Sequence, residues 1–178
     1  MTIETLAAEG VARNRAALVA LLVDAVDSGA SIGFLPPLDE SEAEAYWDGV
    51  AEAVREGSRL VMVARTDGDP GVAAVAGSVQ LDLAGRPNDR HRAEVVRLMV
   101  HRAARRQGLG RALMLAVERR ARELGRTTLV LDTREGDPSE DLYRSLGWTL
   151  AGTIPRYARS ASGTLDATAI YYRLLDPA

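Results

Sequence analysis

Three arginines and two glycines fall within seven residues, "RRQGLGR" (Arg105 to Arg111), just before an amphipathic helical stretch. A helix start leaves backbone N–H groups unpaired and carries a partial positive charge. Glycine lets a ligand approach that backbone closely, and arginine adds bidentate contacts to phosphate oxygens. Arg105, Arg106, Gln107, Gly108, Leu109, Gly110 and Arg111 therefore form a candidate pyrophosphate cradle. A solvated basic loop is the other reading of the same residues. Two carboxylates, Glu94 in "AEVVRLMV" and Asp132 in "TTLVLDT", interrupt stretches that are otherwise largely apolar. A carboxylate in such a strand is costly to bury without partners. Each is therefore either a general base or the partner of an arginine such as Arg92 or Arg97. Tyr143, in "DLYRSLGW", reads by spacing alone as a core aromatic. His91 and His101 stand apart from any spacing of carboxylates that would hold a metal, so no metal site is expected.

These groups need a scaffold, and the order of elements supplies one. Thr2–Leu6 reads as a strand. Val11–Ser28 reads as a helix, with Leu18, Leu21, Leu22, Ala25 and Val26 on one face. "GASIGFLPPLD" is a loop, and Glu40–Glu56 is a second helix capped by Asp39 or Ser41 and stopped by Gly57. Arg59–Arg65 and Val72–Leu83 are strands joined by "TDGDPG". Ala93–His101 is a strand, Leu109–Leu124 a helix, Thr127–Thr133 a strand and Pro138–Leu146 a short helix. Trp148–Ile154 and Thr168–Leu175 close the chain as strands around a polar loop, "RYARSASGTLDA". The expected fold class is α/β with a mixed sheet. Antiparallel strands occupy the middle of the chain, and a βαβ crossover spans residues 94 to 133. Ligands in such sheets favour the carboxyl ends of crossover strands, where "RRQGLG" falls.

Composition narrows the chemistry. The chain has 178 residues, 47% of them hydrophobic and 26% charged, consistent with one domain over residues 1–178. With no cysteine, a thiolate nucleophile, a thiolate zinc site and disulfides are excluded. All 22 basic residues are arginine, which excludes lysine-dependent chemistry such as a Schiff base or an ordinary P-loop. The formal net charge of -3 and the acids within "ERRAREL" argue against a nucleic-acid partner. No apolar run spans a membrane or resembles a signal peptide, so no membrane partner and a cytoplasmic location are expected.

The run "VVRLMVHRAARRQGLGRALMLAVERRARELG" resembles the coenzyme A segment of the GCN5-related N-acetyltransferases (GNAT): a strand, a short connection, R-x-x-G-x-G, then an amphipathic helix. Arg105, Gly108 and Gly110 match the signature. "LDT" and "DLYRSLGW" resemble the family's next strand and tyrosine-bearing helix, and the element order agrees from about residue 2 to 175. "GASIGFLPPLD", "RAEVVRLMV", "LDTREG" and "GTIPRYARSASGTLDATAIYY" are similar to the tabtoxin resistance subgroup, whose members acetylate a β-lactam amino acid.

The resemblance implies a central, mostly antiparallel sheet with a splayed parallel βαβ cofactor site, flanked by about four helices. It implies acetyl-CoA as cofactor, with pantetheine along Leu98, Met99 and Val100 and further cofactor contacts from Thr133, Ser139 and Tyr143. It implies Tyr143 as general acid and Glu94 and Asp132 as bases, and it places Phe34, Trp47, Arg156 and Tyr157 at the acceptor mouth. The expected activity is direct acetyl transfer to the primary amine of a small amino-acid-like molecule, a β-lactam toxin among the candidates. The alternatives are a non-catalytic acyl-CoA-binding module and an enzyme acting on peptide amines. A homodimer is left open.

Overall fold

The computed structural model describes residues 1–66 and 75–176. Seven strands form one sheet: β1 (Thr2–Leu6), β2 (Arg59–Arg65), β3 (Gly77–Leu83), β4 (Arg92–Val100), β5 (Thr128–Arg134), β6 (Thr149–Arg159) and β7 (Leu165–Leu174). Their order across the sheet is β1-β2-β3-β4-β5-β7-β6. Every neighbouring pair is antiparallel except β4 and β5. Helices α1 (Ala8–Arg13), α2 (Arg15–Asp27) and α3 (Glu40–Arg55) precede β2. Helix α4 (Leu109–Glu123) crosses from β4 to β5, and α5 (Ser139–Ser145) links β5 to β6. The mixed sheet and the crossover agree with expectation.

Alternation along the strands feeds two cores, one on each face. On one face Val79, Leu81, Ala93, Leu129, Leu131 and Tyr171 pack with Leu113, Met114 and Val117 of α4. On the other, Val61 and Val63 pack with Leu18, Leu21 and Leu22 of α2 and with Trp47 and Val50 of α3. Local signals set the boundaries. Asp39 caps α3, its Oδ1 accepting from Ser41 N at 2.8 Å, and Gly57 follows with φ +75°.

Three boundaries differ from the sequence reading. The helix expected from Val11 to Ser28 is two helices meeting at Asn14. The Asn14 amide donates to Gly10 O at 2.7 Å and its Oδ1 accepts from Arg65 at 2.8 Å, drawing the residue out of a continuous helix. The strand expected from Val72 begins, among the described residues, at Gly77; Val72 and most of the turn "TDGDPG" lie outside them. The polar loop expected from Arg156 to Ala167 is the end of a β6–β7 hairpin. Strand pairing reaches Arg159↔Leu165, across irregularities between Leu150 and Gly152 and between Ile154 and Ala158.

The feature that positions the site is the junction of β4 and β5. The two strands pair only through Arg92↔Thr128, Ala93↔Leu129 and Glu94↔Val130, then part. On its other side β4 stays paired to β3, with a bulge opposite Val79 that gives Arg97 φ +53°. Beyond Glu94 the edge of β4 facing β5 therefore has no strand partner among the described residues, and a cleft opens there.

Candidate functional site

The cleft between the parted strands is a cavity of about 130 Å³ whose walls include Arg97, Leu98, Asp132, Thr133, Ser139 and Tyr143. Each comes from a different constraint. Leu98 and Arg97 sit at the β4 bulge. Asp132 and Thr133 lie on β5 past its last pairing with β4. Tyr143 is carried by α5, whose buried face turns it under the cleft.

The Tyr143 ring is both core and site. It is 6% exposed and packs against Trp148 and Tyr171, with ring centroids 6.3 and 6.0 Å away. Burial is the main cause that pushes its pKa up to about 12, with Ser139 pulling the other way and Asp137 and Asp132 adding to the rise. The phenol is therefore protonated across the neutral range. Thr133 Oγ1 and Ser139 Oγ lie 3.0 Å apart beside it, tying β5 to the start of α5.

The two candidate bases occupy different walls. Asp132 lines the cleft and also a larger adjoining cavity of about 520 Å³. Its Oδ2 accepts from Thr168 Oγ1 at 3.1 Å. Glu94 lines a separate cavity of about 230 Å³ with Asp82, Asp89 and Arg92. Among the described residues it makes no ion pair; neither Arg92 nor Arg97 closes on it. Its carboxyl is held above the ordinary value, first by loss of solvent, then by the charges of Asp132 and Asp82, with Arg92 and Arg97 opposing.

The larger cavity lies between the loop after α2 and the β6–β7 hairpin. Its walls include Gly33, Phe34, Arg134, Arg159, Asp166 and Thr168. Of the four residues expected at an acceptor mouth, Phe34 lines this cavity. Trp47 does not: it is 1% exposed, inside the core of α2, α3 and β2, because the buried face of α3 runs through Ala43, Trp47 and Val50. Its neighbour Tyr46 instead meets Phe34 edge to face, centroids 5.3 Å apart. Arg156 and Tyr157 lie exposed on β6, outside the cavity wall, because the irregularity that gives Arg156 φ +55° leaves Ala158 to Ser162 as the lining of that side.

The glycine-rich run stands at the start of α4. After β4 a 3₁₀ turn, Arg102–Ala104, leads to Gly108, whose φ of +82° suits glycine and where an added side-chain carbon would meet no atom within 4 Å. Leu109, Gly110 and Arg111 open α4, and the first helical bond from its start runs from Ala112 N to Gly108 O. Their N–H groups point out of the helix end without helical partners. Leu109 contributes backbone only, since its side chain is buried, and Met99 is likewise buried in the other core. Arg105 is spoken for: its guanidinium donates to Val100 O at 3.1 Å and to Ser28 Oγ, bracing the loop against α2. Arg111 donates to Ser145 Oγ at 2.6 Å. Gln107 donates to Ala103 O at 3.4 Å, while Arg106 is exposed with φ +62°.

Sequence reasoning misses two groups. Asp24, buried on α2, accepts from Arg102 N at 2.9 Å and from its guanidinium, and its Oδ1 lies 3.6 Å from His101 Nε2. Arg97 turns into the site rather than toward a carboxylate. The signal for both is the same: a charge inside an apolar run, at Asp24 in "LLVDAV" and Arg97 in "EVVRLMV". Among the described residues no cluster of histidines and carboxylates suits a metal ion, and no helix is long and apolar enough to cross a membrane.

An unpartnered strand edge, a helix start of free N–H groups beside glycine, and a buried tyrosine fit a long molecule with a polar chain and phosphates. Comparison with known proteins agrees. The acetyltransferase (GNAT) family model matches residues 16–148. An N-acetyltransferase from the hisH–hisA intergenic region of Azospirillum brasilense is 40% identical over 114 residues, which span 63% of each chain. A ribosomal-protein-alanine N-acetyltransferase from Brucella melitensis superposes with TM-score 0.79 at 23% identity, over 98% of this chain and all of the other. Salmonella typhimurium yncA, solved with its cofactor acetyl-CoA, superposes with TM-score 0.78 at 23% identity, over 100% and 95% of the two chains.

Proposed function

The chain belongs to the acetyltransferase (GNAT) family, and from that premise we propose that it moves an acetyl group from acetyl-CoA directly to the primary amine of a small, amino-acid-like acceptor. The observation that carries this reading is the meeting of three parts in one place: the free start of α4, the unpartnered edge of β4, and Tyr143 with Asp132 at the cleft between them.

Bound acetyl-CoA supplies the acetyl group as an activated thioester. The chain's own residues hold and orient it. The N–H groups of Gly108 to Arg111, with Arg106 and Arg111, receive the pyrophosphate. The backbone of Leu98 to Val100 offers strand-like hydrogen bonds to the pantetheine, while the Met99 side chain stays in the core. Tyr143 holds a proton at its hydroxyl for the departing sulfur. Asp132, braced by Thr168, faces the acceptor cavity and draws an ammonium toward the cleft; Glu94 adds a second negative charge on the same side of the sheet. The ammonium must lose one proton before its nitrogen can attack, and a second leaves as the nitrogen–carbon bond forms. Asp132, on the wall of both cavities, relays them to water, while Tyr143 supplies the proton that the sulfur takes and regains it from solvent.

The size of the acceptor cavity, about 520 Å³, supports a small molecule over a folded protein partner. A β-lactam amino acid of the tabtoxin kind is the specific candidate. Thiol release should be measured with acetyl-CoA and a panel of amines: amino acids, tabtoxinine-β-lactam, polyamines, aminoglycosides and peptides. Turnover led by the amino acids is expected. Turnover confined to peptides or aminoglycosides would refute the acceptor class and leave acetyl transfer standing.

A further inference from the structure

Arg97 combines several features that acetyl transfer by itself leaves unused. It is a non-glycine residue at φ +53°, a conformation that costs energy and that concentrates at functional positions. Its guanidinium carbon lies 5.7 Å from the centre of the Phe34 ring and 5.8 Å from that of Tyr46. Gly33 lets it lie there: a side-chain carbon at Gly33 would stand 2.7 Å from Arg97 Nη2. Two rings and a glycine therefore fix the position of this charge.

What they fix is a charge on which no carboxylate closes among the described residues. Among the described residues Arg97 makes neither a hydrogen bond nor an ion pair, and its buried Nε has no acceptor. The other arginines around the acceptor cavity are occupied. Arg134 pairs with Asp137 at 3.4 Å and with Asp166 at 3.9 Å, and Arg159 donates to Gly163 O at 3.0 Å. A half-buried guanidinium left unpaired is costly, and a bound oxyanion would relieve that cost. Arg97 lines the cleft with Asp132, and Gly33 and Phe34, which it touches, line the acceptor cavity with the same Asp132.

We propose that Arg97 is the anion subsite of the acceptor: its guanidinium binds the acceptor's carboxylate while Asp132 faces the amine, so that the substrate is selected as a zwitterion. This rests on the acetyl-transfer reading and narrows it. It places carboxylate binding on an arginine inside the site rather than on Arg156, which is expected at the acceptor mouth and lies outside the cavity wall. The aromatic pair keeps the planar fork oriented, and the fork matches the two oxygens of a carboxylate.

The test compares matched acceptors: amino acids turned over by the wild type, each against its carboxamide. The wild type should prefer the carboxylate in kcat/KM by about 10- to 100-fold, the range expected for hydrogen bonds to a charged group. In Arg97→Gln that preference should fall to near unity, through KM of the acceptor, while acetyl-CoA affinity by calorimetry and the far-ultraviolet circular dichroism spectrum stay as in the wild type. Arg97→Lys, which keeps the charge and loses the fork, should retain part of the preference and guards against a folding artefact. A wild type indifferent to the carboxylate, or a preference that survives in Arg97→Gln, overturns the proposal. Turnover of peptides or aminoglycosides alone overturns it while sparing acetyl transfer. Absence of thiol release with every amine overturns both.

Discussion

At the scale of single residues the site divides its labour by environment. Burial keeps Tyr143 protonated at neutral pH, as the donor proposed for a leaving thiolate must be, and also makes it a weaker acid than a free phenol. Tyr143→Phe removes that proton and keeps the ring between Trp148 and Tyr171. We expect kcat to fall about 10²- to 10⁴-fold with acetyl-CoA affinity unchanged; retention of most of kcat would assign Tyr143 to the core alone. Glu94 carries the opposite strain. Because the fold raises its pKa, the charged form is disfavoured relative to the unfolded chain, and stability is lost as pH rises through the folded value. Glu94→Gln should therefore have a Tm at pH 7 equal to or above the wild type, the difference vanishing below about pH 4.5, where the carboxyl is neutral in both states. Acetyl transfer should fall in the same variant if the charge serves the amine; a lower Tm would reveal a structural partner for Glu94 instead. Glu94 and Asp132 stand out in the sequence as carboxylates in apolar strands, whereas Tyr143 reads by spacing as a core aromatic and only the family resemblance singles it out. The place of Trp47 is not legible there, because an aromatic near an acceptor loop can face either way, and the turn of α3 decides it. Arg97 reads only as a possible ion-pair partner, since no sequence pattern shows a bulge that redirects one side chain.

At the scale of elements, α4 carries the cofactor argument, and its first turn offers a test in which stability and binding move apart. An aspartate at Gly110 places negative charge where the helix end favours it, so folding should be preserved or slightly aided. The space is adequate, the nearest atom to an added carbon being Leu142 Cδ2 at 3.4 Å. The same charge would face the pyrophosphate. Gly110→Asp should therefore weaken acetyl-CoA by about tenfold or more in calorimetry, at unchanged or higher Tm. Equal affinity would remove the phosphate from this helix. Most elements are readable because periodicity and caps agree with packing: β2, β4, β5, α3 and α4 fall within a residue or two of expectation. The exceptions have local causes. Asn14 breaks a helix through its own side chain, and the β6–β7 hairpin hides in serines and glycine because its pairing slips, disturbing the alternation that marks a strand.

At the scale of the whole molecule, the sheet is continuous in order yet open along half of β4. The two halves, β1 to β4 and β5 to β7, meet in three paired positions and a shared core beneath them. A ligand that bridges them binds the folded state alone, so acetyl-CoA should raise Tm, by an amount equivalent to about 2.7 kcal/mol at one hundred times its Kd. The gap has a second consequence, for the protein in storage. A strand edge with free N–H and C=O groups is a template for any extended chain, including that of another copy, and most proteins cover or charge such edges. On the binding mode proposed above, the guard is the substrate itself. Warmed without acetyl-CoA, the protein should scatter light sooner than with it. The acceleration should be smaller in a variant whose β4 edge carries an added proline at a position not bonded to β3. Equal rates with and without acetyl-CoA would show that the walls of the cleft already keep strangers out.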